Sequence, residues 1–396
     1  MATQRVSSTS LTTVAYGVET DYGVIPAVKG KKLRITGESL AQTIEKSQSE
    51  EIDASRQTRG MFLTNASVAG NLDAELSAQE FDTLFEAALL SSWSAFGTNG
   101  TSAAANFTVD PVTKKITYTA APTGANALTQ LKPGQFISLG GASTTKKNQK
   151  PVRVTAVTAT EITYSGAELV AQTGLATIST GALTNGVNRK SLTLEKFFAE
   201  KGLYYVYSGM QLNQFTLSVT AREAVKISFE FLGKDAEQKS VASFITPYTE
   251  SLDHPIIDSI LGMKDVLFNG QPITSMGSAG VKSFELTFSN NMEGQEGIGV
   301  LGNVDVMLGD VSCTVSMEIY ADDGNFYAAA LAQTRFEVAA ALYDSNGKGY
   351  AFRMPSVEFT SNQPQAASKN QALTFTLEGT ALMDPTERQT LFIYRY

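Results

Sequence analysis

The chain has one cysteine and one histidine in 396 residues, and each scarcity excludes chemistry. Cys313 alone cannot form an intramolecular disulfide. No cluster of histidine and cysteine has metal-ligand spacing. Any Ser-His-Asp or Cys-His arrangement would have to use His254, in Leu252-Asp-His-Pro255, a proline-flanked connector where a lone histidine is most often a surface residue. No Asp-rich loop has EF-hand spacing. No apolar run approaches the roughly 18 residues that a spanning helix needs. The first residues, MATQRVSSTSLTTVAYG, lack an apolar core followed by a cleavage site, so no secretory signal is expected. Only 18% of residues are charged and the net charge is −8, which argues against a general nucleic-acid binder. These absences lead to an expectation of a cytoplasmically made protein with no catalytic group, cofactor, metal or membrane attachment.

What is present is a repetition, about 243 residues apart. SVAGNLDAELSAQEFDTLFEAAL (67–89) and DVSCTVSMEIYADDGNFYAAAL (310–331) both alternate apolar and polar residues, then turn helical. Val68, Gly70, Leu72, Ala74 and Leu76 share one face, as do Val311, Cys313, Val315, Met317 and Ile319. Glu75 then matches Glu318, and Leu89 matches Leu331. Val225 to Gly233 answers Gln371 to Gly379 in the same way. The first helix carries the capping-box spacing Ser77-Ala-Gln-Glu80. Phe81, Leu84, Phe85, Ala88 and Leu89 fall at helical spacing and are expected to pack on a sheet. Further strands are expected at Leu33 to Thr36, Gln214 to Val219, Phe284 to Phe288 and Ser356 to Phe359. A connector over 241–275 contains Pro247 and Pro255, which resist regular structure.

A different composition interrupts the first unit. Residues 97–190 hold nine Lys or Arg and three Asp or Glu, leaving 22 basic and 36 acidic residues elsewhere. The segment opens with the linker-like Gly97-Thr-Asn-Gly-Thr-Ser and contains short alternating runs at 106–109, 115–119, 135–139, 152–157 and 161–164. Turn signals such as Asp110-Pro and Lys132-Pro-Gly134 separate them, as in a small all-β barrel or sandwich. The resulting division is a discontinuous first domain (1–96 and 191–250), an inserted β domain (97–190) on the outer side, and a second domain (251–396).

Polar residues line the strands opposite the apolar faces: Asp73, Glu75, Glu230, Glu318 and Glu378 among them. Such a face is usually a solvated surface, and it also suits a water-filled channel. Gly297-Ile-Gly-Val-Leu-Gly302 satisfies the dinucleotide fingerprint, but a polar loop precedes it and a strand-like run follows, so a loop is expected. Its counterpart, Glu45 to Gly60, is a long charged loop containing Glu50, Glu51 and Arg56, expected to reach a neighbouring subunit.

With these residues set out, the chain resembles the major tail tube proteins of long, flexible-tailed (siphovirus-type) bacteriophages. The resemblance rests on Ser49-Glu-Glu-Ile52 with Arg56-Gln57, Ala69 to Leu76, Ser208-Gly-Met-Gln-Leu-Asn213, Phe229-Glu-Phe-Leu-Gly233, Leu286 to Asn291 and Ala381-Leu-Met-Asp384. It implies a mainly β fold, two tandem β-sandwich tube domains each with a short helix, and self-association into stacked rings around a conduit for genome DNA. With two domains per chain, homotrimeric rings imitating a hexamer are implied, with other tail proteins at the tube ends and a place in the virion. The acidic face would line the lumen and let DNA pass without specific binding, while Glu45, Glu50, Glu51 and Arg56 would contact the next ring. A non-enzymatic β-sandwich protein binding host-surface glycans, through Tyr164, Tyr204, Tyr205 and Tyr207, is the alternative. A β-rich hydrolase using paired carboxylates is the third reading.

Overall fold

The computed structural model describes residues 8–97, 101–120, 122–141, 144–320, 325–361, 369 and 372–396. Thr98 to Gly100 of the linker-like run, Ala321 to Gly324 of the second repeat and Gln371 lie outside the described residues. Eight antiparallel strands organise the molecule. They are β1 (Ala41–Gln48), β2 (Met61–Glu75), β3 (Leu203–Thr220), β4 (Lys226–Gly233), β5 (Val281–Ser289), β6 (Ser312–Tyr320), β7 (Gly349–Ser361) and β8 (Thr374–Ala381). Their spatial order is β1-β2-β4-β3-β5-β6-β8-β7. The last four strands therefore repeat the order of the first four. The two sets join where β3 pairs with β5, from Gln214 opposite Ser289 to Thr220 opposite Ser283.

The alternation explains the layer. Leu72, Phe229, Phe215, Leu286, Val315 and Leu377 all point into one core, and each is 1% exposed or less. A second layer closes the core from the other side, in two outer sheets of which the first is built on β3 and the second on β7. The first half of β3 leaves the eight-strand layer to pair with Ser191–Phe198 and Asp235–Lys239, and Thr12–Val18 extends that group. The first half of β7 likewise pairs with Arg335–Tyr343 and Phe392–Arg395, and Met263–Phe268 follows. Irregularities at Leu212/Gln214 and Phe336/Val338 mark where the strands pass between layers, as bulges do at sheet corners.

The repeat extends to the helices, α1 (Asp82–Ala88) and α2 (Asn325–Leu331). Glu75 is opposite Lys226, and Glu318 is opposite Thr376. Two details of the sequence match shift. Helix for helix, Leu331 answers Ala88, not Leu89. Gly233 lies opposite Val68 while Gly379 lies opposite Val315, so the two glycines are not equivalent once Glu75 is matched to Glu318. Alternating strands look alike under any even shift, and only the pairing resolves them.

Other local expectations are corrected by tertiary partners. The capping box does not form: Phe81 occupies the N-cap without a side-chain bond, and Ser77 Oγ has no partner. Residues 77–80 are packed beneath the connector, so fully buried Glu80 instead accepts from Leu252 N–H at 2.9 Å and lies 3.6 Å from Lys31 Nζ. Leu33 to Thr36 is irregular, and the strand there is Lys29–Lys32. Pro247 sits within a short strand, Ile245–Thr249, which pairs in parallel with Lys29–Lys32.

Within the expected segment 97–190, the strands from Ala105–Asp110 to Gln172–Ser179 form a closed six-strand barrel, whereas Gly181–Thr184 lies outside it and pairs with Phe392–Arg395. Five of the barrel strands overlap the expected runs, with ends that differ by one residue at Lys115–Tyr118 and Phe136–Gly140; the sixth, Gln172–Ser179, has no counterpart among those runs. Phe107, Ile116, Ile137, Val154, Ile162 and Ile178 fill a core of its own. The barrel also docks firmly. Phe136 packs with Ala339, Tyr343, Ala351, Tyr394 and Tyr396 of the second outer sheet.

Candidate functional site

Burying one face of eight strands leaves the opposite face polar, because successive strand residues alternate sides. Asp73, Glu75, Glu230, Glu318 and Glu378 all lie on this face. Asp73 is opposite Ser228, Glu75 opposite Lys226 and Glu230 opposite Asn71; Glu318 and Glu378 stand opposite Thr376 and Ser316. They fall into two groups, on β2/β4 and on β6/β8. Between them runs a seam where β3 meets β5, uncharged except for Glu285, with the Thr216 and Thr287 hydroxyl oxygens 3.3 Å apart. Glu285 on that seam and Glu358 on β7 belong to the same face and are missing from the sequence reading. The alternation Phe284-Glu-Leu286 carries the signal for Glu285.

Few cations oppose these seven carboxylates. Lys282 Nζ lies 2.8 Å from Glu318 Oε1, and that hydrogen bond holds the Glu318 carboxyl below its usual range. Lys226 is paired with Glu223 at 2.9 Å. Ser228 Oγ donates to Asp73 at 2.6 Å, and Asn213 Nδ2 donates to Glu230 at 3.2 Å. The face is thus acidic, hydroxyl-rich and hydrogen-bonded along its length.

The second candidate element projects from the first edge. β4 pairs with β2 only from Val68 to Glu75, so among the described residues the start of β2 has β1 as its strand partner and the hairpin extends beyond the sheet. The expected loop from Glu45 is partly strand: Glu45 is opposite Asn65 and Gln48 opposite Met61. Strand continues there without an apolar alternation because this part of the arm is exposed on both sides, which is why the sequence read as loop. The loop proper closes with Ser49 N–H donating to Gly60 at 3.0 Å. Within it, bonds from Ser55 and then Arg59 lower the Asp53 pKa. Glu45, Glu50, Glu51 and Arg56 are all exposed. So are Ile44, Ile52, Met61, Phe62 and Leu63, an apolar set the sequence reading overlooked.

Gly297 to Gly302 lies at the end of a second hairpin, Glu293–Gln295 with Asp305–Met307. A strand follows the glycines, so the pyrophosphate-facing helix terminus of the fingerprint is missing from this place. Its tip carries exposed Ile298, Val300 and Leu301 and borders Thr64 and Asn65 of the first arm. His254 is half-buried, and its carbonyl accepts from Arg34 at 2.7 Å. Among the described residues, no group of three or more His, Cys, Asp or Glu could hold a metal ion. No helix among them is long and apolar enough to cross a membrane. Cys313 is buried, which pushes its thiol up to about 12.

The family model for phage tail tube protein matches residues 9–381. The chain belongs to the phage tail tube protein family. This match runs through the barrel as well as both four-strand sets, and it favours the tail-tube reading over the glycan-binding one. A structural role in the tail tube, as a virion component that assembles with its own kind and with other tail proteins, follows from tail tube family membership. No curated protein matches the chain.

Proposed function

We propose that this chain forms stacked rings that make the tube through which phage DNA is ejected, with the acidic face of the eight strands lining the bore. The observation that carries this reading is the doubled strand order within a single sheet that has one wet face. Two tube domains per chain, at 1–96 with 191–250 and at 251–396, would let three copies imitate a sixfold ring. The edge of β1 and the last residues of β7 have no strand partner on their outer sides among the described residues, and closing them between copies would remove the exposed edges. Fixed carboxylates on the bore would repel phosphate, so DNA would pass hydrated and without specific contacts. The β1–β2 arm would reach the next ring, its exposed Phe62, Leu63 and Ile44 adding apolar contact to the charges of Glu45, Glu50, Glu51 and Arg56.

Purified protein is expected to form tubes or rings by negative-stain microscopy. Virions carrying Glu75→Lys with Glu318→Lys should assemble normal-length tails yet deliver DNA at least tenfold less well, because lysines would hold phosphates. Normal delivery by such virions would remove the lumen assignment and leave the tube standing.

A further inference from the structure

The chain contains one junction between its two four-strand sets, and that junction is organised around α1. Phe85 of α1 packs on Phe215 and Phe229 of the first set at 5.5 and 5.7 Å between ring centroids. It also packs on Tyr350 and Phe352 of the second set, at 5.0 and 5.8 Å. Asp82 accepts from the Tyr350 hydroxyl at 2.7 Å and pairs with Arg395. At the other end of α1, Asn290 Nδ2 donates to the Ala88 carbonyl at 2.8 Å. So α1 is covered by the neighbouring set, and Leu84, Phe85, Ala87 and Ala88 are 1% exposed or less.

Among the described residues, the equivalent helix has no such cover. Phe326 anchors α2 on Phe268, Phe336 and Phe359, but Leu331, which answers Ala88, is 72% exposed. The equivalent receiving surface on the first set is also open. Pairing fixes the correspondence: Phe215 is opposite Phe229, itself opposite Leu72, while Phe359 is opposite Gly379, itself opposite Val315. Leu72 and Val315 share the spacing that relates the helices. Phe215 therefore answers Phe359, and, allowing for the extra residue in the bulge at Leu212/Gln214, Tyr205 and Tyr207 answer Tyr350 and Phe352. Ser289 is opposite Ser312 as Ala41 is opposite Ala69, so Gln42 answers Asn290. Tyr205, Tyr207, Gln42, Leu40, Phe198 and Lys196 line a groove of about 490 Å³.

We infer that this groove receives α2 of a second copy of the chain, reproducing between copies the contact that α1 makes within one. Ala328, which answers Phe85 and is exposed, sits against Tyr205 and Tyr207, and Leu331 enters at the Gln42 end of the groove, where the Gln42 amide donates to its carbonyl as Asn290 does to Ala88. Lys196, held by Glu38 at 3.1 Å and by the Leu40 carbonyl at 3.0 Å, keeps the groove floor polar and the rings in place. The inference rests on the ring reading above and adds to it which surfaces meet and in what register.

The test mixes two full-length variants, each also carrying Cys313→Ser. One bears Gln42→Cys and the other Leu331→Cys, and assembled tubes are treated with a short bismaleimide. A covalent dimer formed by the mixture, and by neither variant alone, is the expected result. Separately, Leu331→Asp should raise the concentration needed for assembly by about tenfold or more. Its monomer should keep the parent's circular dichroism and melting temperature, because the residue is exposed. Tubes that form without the mixed dimer, together with normal assembly of Leu331→Asp, would overturn the docking and leave the tube reading intact. Absence of any ring or tube from the parent chain would fell both.

Discussion

The two outer sheets of this molecule are covered by different means. On the first, the chain's own strap does it: Phe244 lies over Gly17 and Gly30, and Tyr248 and the Ser243 amide both donate to Glu195. A Cβ on Gly30 would come within 2.6 Å of the Phe244 ring, so the strap needs a bare backbone beneath it. On the second, the inserted barrel does it, through Phe136 and an ionic cluster. Arg153 donates to Glu337 at 2.6 Å, Arg353 donates to Glu337 at 2.9 Å, and Arg353 also holds Glu387 at 2.8 Å. Each outer face has apolar residues that gain by being covered, and the covering element supplies donors to the carboxylate it takes out of water, Glu195 on one sheet and Glu337 on the other. An insertion can thus become structurally necessary by taking over the covering task that a local strap performs elsewhere.

The largest test of this comparison is removal of the barrel. The linker-like composition at its start and its separate charge balance suggest a segment that can be excised harmlessly. The docking face argues otherwise. Replacing residues 97–180 with a short Gly-Ser bridge would expose Ala339, Tyr343, Ala351, Tyr394 and Tyr396 together and strip Glu337 of Arg153. The shortened chain is expected to aggregate on expression, whereas excised barrel residues 101–180 should fold alone on their own core. A soluble shortened chain melting within a few degrees of the parent would show that the barrel is an ornament.

A smaller test isolates the cluster. Glu337→Ala leaves two guanidinium groups with little solvent, since the Arg153 and Arg353 side chains are 15% and 8% exposed. Removing one partner of a buried ion pair costs about 3–5 kcal/mol, and retention of Glu387 by Arg353 places the expectation at the low end. Denaturant unfolding measures it. A loss under about 0.5 kcal/mol, the range of ordinary surface substitutions, would mean that Phe136 packing alone seats the barrel.

The same contrast shows what was legible in the sequence. Strands such as 68–75 and 312–320 could be read because one face is buried and one is wet, which imposes a period of two. The barrel could be placed because Asp110-Pro and Lys132-Pro-Gly134 punctuate short apolar runs. What could not be read depends on partners distant in the chain. Glu337 looks like any exposed carboxylate until Arg153, 184 residues earlier, is brought to it. Ser77 and Glu80 match a capping box, but the Leu252 amide claims the glutamate. Five of the seven carboxylates of the polar face followed from alternation alone; the exposed apolar flank of the arm did not, because Met61-Phe-Leu63 breaks the period that revealed the rest of its strand.

The smallest test concerns the strap. Glu195 is 1% exposed, and its carboxylate relies on the Ser243 amide, at 2.6 Å, and on the Tyr248 hydroxyl. Tyr248→Phe keeps the ring and removes one donor, so a buried carboxylate loses half of these bonds. The expected cost near pH 7 is about 1–2 kcal/mol, in the range for leaving a buried acceptor short of a partner. The pH dependence has a definite sign. Burial, and then the hydrogen bond to Glu195, raises the Tyr248 pKa well above that of a free phenol. The folded state thus keeps this proton after the unfolded state has released it, near pH 10. Stability contributed by the bond is complete below that value and declines as pH rises beyond it. The difference between parent and Tyr248→Phe should therefore be largest at neutral pH and shrink above about pH 10, even though both proteins lose stability there through their other buried tyrosines. Chemical denaturation at pH 7 and pH 10.5 reads the two differences directly. A gap that stayed constant across that range would mean that Tyr248 ionises no differently in the folded and unfolded chain, and the strap would then be held by Phe244 and its backbone pairing with Lys29–Lys32.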